Sequence, residues 1–195
     1  MERDMNKKAL GIIVASALAT VSFNTQASDI NYNYADLTYI NVDIGGGSSG
    51  NGLGLAGSYG ITDNLNLVAN YDSATINGNT GTEINFGLGY HQPINDTTDW
   101  YAEARYRNYD PGGGTTGSGY LGMLGVRMAA SNQFQVRAGV GYGSLSGGGT
   151  TQSGGIFDVG GTYNINDQFG ITADYYSDKD SSGATIIKLG ARMNF

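Results

Sequence analysis

The chain has 195 residues, with 33 Gly, 14 Tyr, 2 Pro, no Cys and a formal net charge of −7. Without cysteine there is neither a disulfide framework nor a lipid-anchored N-terminus, and an acidic chain with no basic patch excludes nucleic acid as a partner. A charged fraction of 14% set among regularly alternating apolar residues argues for a folded chain of single-domain length.

Arg3, Lys7 and Lys8 precede an apolar run from Ala9 to Val21, followed by Thr25, Gln26 and Ala27. This is the order of a secretory signal peptide, with cleavage expected after Ala27 and a mature domain over 28–195. The run falls short of the roughly 20 residues a membrane helix needs. Met5 opens a more compact signal than Met1, so the true start stays open between them. No second apolar run of spanning length follows, which excludes helical spanning.

The mature chain repeats at a spacing of roughly 35 residues. Small polar clusters recur at Ile61–Leu65, Ile94–Asp96, Ala130–Phe134 and Ile165–Phe169, each feeding an alternating run, as tight turns do. Between them lie five Gly/Ser/Thr-rich stretches, 45–51, 76–80, 110–117, 146–152 and 179–183, which read as longer loops. Four turns alternating with five loops divide the chain into ten strands, at roughly 34–44, 52–61, 65–75, 82–92, 99–109, 118–129, 134–145, 154–164, 169–178 and 184–195. Most are about 10 residues long, the length of a tilted strand crossing a bilayer. The fold expected is therefore all-β, a transmembrane antiparallel up-and-down β-barrel of ten strands, with eight as the rival count.

Alternation gives each strand an apolar face, such as Leu53, Leu55 and Tyr59, or Ile84, Phe86, Leu88 and Tyr90. The first strand is ambiguous: Leu37 and Tyr39 compete with Ile40, Val42 and Ile44 across a bulge. The opposite parity carries the charges: Asp72, Glu83, Glu103, Arg105, Arg107, Arg127, Arg137, Asp158, Asp174, Lys188 and Arg192. A charge facing lipid near midplane costs about 2–4 kcal/mol, so these side chains are assigned to the lumen. There they either pair into a network that fills the barrel or line a hydrated passage. Glycines of the same parity, Gly54, Gly125, Gly139 and Gly160 among them, leave room for water or for long side chains opposite.

Other motifs fail on context. Gly52–Gly57 and Gly117–Gly122 match a dinucleotide fingerprint, but each runs into a strand and opens no helix. The stretch from Asp178 to Gly183 resembles the start of a calcium loop, yet Leu189 stands where its bidentate Glu belongs. His91 is the only histidine, which rules out a multi-histidine metal centre. It falls beside the second tight turn, near Asp96 and Asp99, and reads as a hydrogen-bonded interior side chain. No catalytic residue, metal or cofactor is assigned, and no enzyme is expected.

The final strand alternates Ile187, Leu189, Ala191, Met193 and Phe195 against Lys188, Arg192 and Asn194. An apolar alternation closing on a terminal Phe resembles the C-terminal signal by which bacterial outer-membrane barrels are recognised for insertion. The segments Gly87–Asp96 and Gly125–Phe134 look like the strand-to-turn signatures of small outer-membrane barrels, the OmpX-like and opacity-type group and its ten-stranded relatives. The resemblance covers Leu37 to Phe195. It implies a bacterial outer-membrane location, lipid as solvent, the barrel-assembly machinery as a partner through the last strand, and a monomer. Tight turns would face the periplasm and loops the outside. Proteins of this kind serve as pores, adhesins or envelope stabilisers. The expectation is a non-enzymatic barrel with a charged, partly filled lumen that contributes to envelope structure. A narrow porin-like channel is the alternative, and recognition through the short outer loops a weaker one.

Overall fold

The computed structural model describes residues 30–178 and 183–195. The expected signal peptide over 1–27 and the loop residues 179–182, Lys179 among them, lie outside the described residues. Ten strands follow in order: β1 (Tyr34–Asp43), β2 (Ser49–Gly60), β3 (Leu65–Ile76), β4 (Asn79–Asn95), β5 (Thr98–Asp110), β6 (Gly117–Ala129), β7 (Phe134–Gly147), β8 (Thr150–Asn164), β9 (Phe169–Asp178) and β10 (Ala184–Asn194). Each pairs antiparallel with its sequence neighbours, and β1 pairs with β10 to close the barrel. The count is ten, and the eight-strand alternative is excluded.

The polar clusters act as turns through one repeated device. Thr62 Oγ1 accepts hydrogen bonds from the amides of Asn64 and Leu65 at 3.3 and 3.1 Å. Ser131 Oγ does the same for Gln133 and Phe134 at 3.3 and 3.0 Å, and Asn166 Oδ1 for Gln168 and Phe169 at 2.9 and 2.8 Å. A short side chain thus caps the amides that a tight reversal leaves unpaired. In the second turn Asn95 Oδ1 accepts from the Thr97 amide at 2.9 Å. Here β4 runs on to Asn95 and its register with β5 shifts between Pro93 and Asn95. Pro93 has no N–H to give the ladder, so the irregularity sits where proline permits it.

Two of the five expected loops are not loops. At 76–80 the chain reverses on Asn77 and Gly78, with φ of 51° and 83°, and at 146–152 on Gly148 and Gly149, with φ of 59° and 80°. Positive φ at both central positions makes two-residue hairpin turns whose twist matches the strands. β4 and β8 consequently extend to 17 and 15 residues. The bulge expected in the first strand is also absent: β1 pairs without a break from Tyr34 against Asn194 to Asp43 against Thr185. Its parity is now fixed. Leu37 and Tyr39 face outward at 56% and 51% exposure, while Ile40 is 1% exposed and Val42 buried, both inside.

The outer face is a continuous apolar belt that includes Leu53, Leu55, Leu67, Phe86, Leu124, Val140, Ile171 and Leu189. Cross-strand aromatic contacts stiffen it: Phe86 against Tyr106 at 5.4 Å between ring centroids, and Tyr90 against Trp100 at 5.5 Å. An apolar exterior on a closed barrel, with every strand paired on both edges, is the form in which β-structure crosses a bilayer.

Candidate functional site: the charged lumen

Six cations occur among the described residues, and alternation along the strands turns all six toward the barrel interior: Arg105, Arg107, Arg127, Arg137, Lys188 and Arg192. Toward the loop end Arg107, 2% exposed, donates through Nε to Glu83 at 3.0 Å and through Nη2 to Asp178 at 2.9 Å. Lys188 Nζ donates to Asp72 at 2.6 Å. Arg105 pairs with Glu103 two residues away and donates to Asn70 Oδ1 at 2.9 Å.

Nearer the turn end Arg137 meets two carboxylates, Asp158 at 3.0 Å and Asp174 at 3.1 Å. Arg192 makes a fork-to-fork pair with Asp36, both contacts at 2.7 Å. Asp36 and Arg192 are direct register partners, so this buried pair ties the first strand to the last. Glycines make the room. A Cβ on Gly139 would come within 2.5 Å of the Tyr101 hydroxyl, and one on Gly160 would strike Asp174 Oδ1.

The turn end is filled by the segment preceding β1. Tyr32 is buried, and its ring stacks on His91 at 3.5 Å between centroids and 8° from parallel. Its hydroxyl donates to Asp99 at 3.0 Å, the carboxylate that also lies 3.5 Å from His91 Nδ1. Arg127 lies over the Tyr32 ring at 4.5 Å and donates to the Asn31 carbonyl at 3.4 Å. The Tyr34 ring takes the Arg192 guanidinium at 3.7 Å, a close cation–π contact. Burial pushes the Tyr32 phenol above its ordinary range, so it stays protonated as a donor. Tyr32→Phe should cost about 1.5–3 kcal/mol, the scale of a hydrogen bond to a charged group. The midpoint of heat-modifiable gel migration reads that loss, and an unchanged midpoint would show the contact to be idle.

All eleven residues assigned to the lumen from the sequence line it, and ten of them form the ion pairs given above; Arg127 joins the aromatic cluster instead. Participants without such an assignment include Asp36, Asp99, Asp178 and Tyr32. Asp36 lies in the strand whose parity was ambiguous, and Asp178 borders a Gly/Ser stretch read as loop. The terminal-strand residues Ile187, Leu189, Met193 and Phe195 are exposed on the outer face, with Ala191 between them. His91 contacts Asp99 and not Asp96. Among the described residues no group of three or more His, Asp or Glu side chains is arranged to hold a metal ion.

A cavity of about 480 Å³ opens at the loop end, and another of about 130 Å³ lies below it; both are lined by Asp72, Glu83 and Ile186. The lower cavity is also lined by Asn85 and Arg105, and Asp72 Oδ1, Asn85 Oδ1 and Arg105 Nε have no hydrogen-bond partner in the protein. Polar atoms buried around such a volume suit water.

No protein-family model and no curated protein matches the chain. Among solved structures it is similar to an outer membrane channel from Pseudomonas putida F1, with a TM-score of 0.52 and 11% identity over 90% of this chain and all of that one. It is also similar to Neisserial surface protein A (TM-score 0.40, 16% identity, 83% of this chain, 95% of that chain). Ail, the attachment invasion locus protein of Yersinia pestis, matches with a TM-score of 0.33 and 15% identity over 84% of this chain and 99% of that one. The fold is that of an outer-membrane β-barrel.

Proposed function

We propose that this chain is a non-enzymatic bacterial outer-membrane protein whose partly filled, ion-paired lumen makes it a rigid element of the envelope and not an open pore. Residues 1–27 direct export and are removed after Ala27. The barrel then inserts as a monomer, its last strand (Ile187, Leu189, Ala191, Met193 and Phe195) being read by the assembly machinery. The observation carrying this reading is the lumen itself: each of the six described cations contacts a carboxylate or an aromatic ring there, and Tyr32 packs into the turn end. Charges so satisfied hold strands together and leave no free row to escort an ion. The only histidine supports the non-enzymatic reading, since it is stacked on Tyr32.

A narrow channel is the second reading, favoured by the lining that the two cavities share. Arg137→Ala separates the two. It removes the partner of Asp158 and Asp174, and a structural network should then lose about 3–5 kcal/mol, read as a lower unfolding midpoint in urea. A change of ion selectivity at unchanged stability would instead make the barrel a channel.

A further inference from the structure

Tyr32 comes from outside every strand, yet it is 8% exposed and its ring fills a place built by three of them. His91 on β4 lies face to face with it at 3.5 Å, Asp99 on β5 accepts from its hydroxyl at 3.0 Å, and Arg127 on β6 lies over it at 4.5 Å. These three are positioned without help from Tyr32. Asp99 and Arg127 are register partners, so the ladder sets their spacing. The His91 backbone is fixed by Asn64, whose carbonyl accepts from its amide and whose Nδ2 donates to its carbonyl, both at 2.9 Å. Tyr32 itself is held on a lighter footing. Among the described residues, its segment reaches the wall through Asn33, which accepts from the Gly60 and Phe195 amides at 2.7 and 3.2 Å, and through the Asn31 carbonyl, which accepts from Arg127 at 3.4 Å.

We propose that the turn end carries a phenol-binding pocket, formed by His91, Asp99 and Arg127, for which Tyr32 is a tethered ligand that a free phenol can replace. Each group matches one feature of a phenol. The imidazole face stacks on the ring, the guanidinium is attracted to its π-system, and the carboxylate accepts from its hydroxyl in a charge-assisted hydrogen bond. Because the three stand on paired strands, the pocket is preorganised and little ordering cost opposes binding. The tether gives Tyr32 an effective concentration of about millimolar, so in the wild type it outcompetes dilute free phenols and keeps the turn end closed. The proposal does not depend on whether the barrel conducts.

The test titrates the Tyr32→Ala and wild-type barrels, refolded in lipid nanodiscs, with p-cresol and toluene. The single histidine of the chain supplies one ring signal inside the pocket, and the lipid-facing Leu53 and Leu55 methyls report partitioning into lipid. In Tyr32→Ala, p-cresol should shift the His91 ring saturably while the leucine methyls change linearly. Toluene, which cannot donate to Asp99, should bind at least about tenfold more weakly. So should p-cresol in the wild type, where Tyr32 occupies the pocket. Adding Asp99→Asn to Tyr32→Ala should narrow the preference for p-cresol over toluene. Where Tyr32→Ala folds poorly, p-cresol present during refolding should raise the folded yield, read by heat-modifiable migration, above the yield with toluene. Equal linear shifts at His91 and the leucine methyls would mean lipid partitioning only and overturn the proposal. Toluene as effective as p-cresol, in titration or in refolding, would overturn it as well, as would p-cresol binding equally tightly to the wild type.

Discussion

Arg192→Met should lower the stability of the folded barrel by about 3–5 kcal/mol, because it strands the Asp36 carboxylate inside the closing seam. The two side chains are 3% and 6% exposed and meet through both oxygens and two nitrogens at 2.7 Å. The cost is the unpaired charge, not the removed attraction. Asp36→Leu combined with Arg192→Met should therefore recover most of the loss, since a hydrophobic pair of similar volume removes both charges together. A double-mutant cycle on urea midpoints measures the coupling. If the double variant is as unstable as the sum of the singles, the pair is not what holds β1 to β10.

Arg107→Met should be comparably damaging for a different reason. Arg107 separates Glu83 from Asp178, and without it two carboxylates face one shared space at the floor of the upper cavity. Repulsion adds to desolvation, and a loss of about 3–5 kcal/mol is expected. Arg107→Lys should rescue only part of it. The guanidinium serves Glu83 from Nε and Asp178 from Nη2, whereas a single ammonium is a compact point charge without that fork. Full rescue by lysine would show that charge alone suffices and that the fork geometry is idle.

Much of this was legible in the chain. Lipid on one side and a polar interior on the other force a period of two, so the inward parity of residues such as Arg137 and Asp158 follows from alternation, and the ten strands from the turn clusters and loops that punctuate it. β1 resisted because both of its parities are apolar: Leu37 and Tyr39 meet lipid, Ile40 and Val42 the upper cavity. Loop length resisted too, since Asn77-Gly78 and Gly148-Gly149 have the composition of a loop but the dihedrals of a two-residue turn. Pairing across the barrel is a property of closure and register. Arg107 reaches Asp178 from 71 residues away, and Lys188 reaches Asp72 from 116. Tyr32 lies outside every strand, and no periodicity announces that it packs on His91.

The central claim, a partly filled lumen shut by its own ion pairs, is tested most directly by single-channel recording of the refolded wild-type barrel in a planar bilayer. Insertion is confirmed beforehand by heat-modifiable migration. The account predicts a silent membrane. Discrete, ion-selective steps that change with Arg105→Ala or Arg137→Ala would contradict it and make the lumen a conducting path.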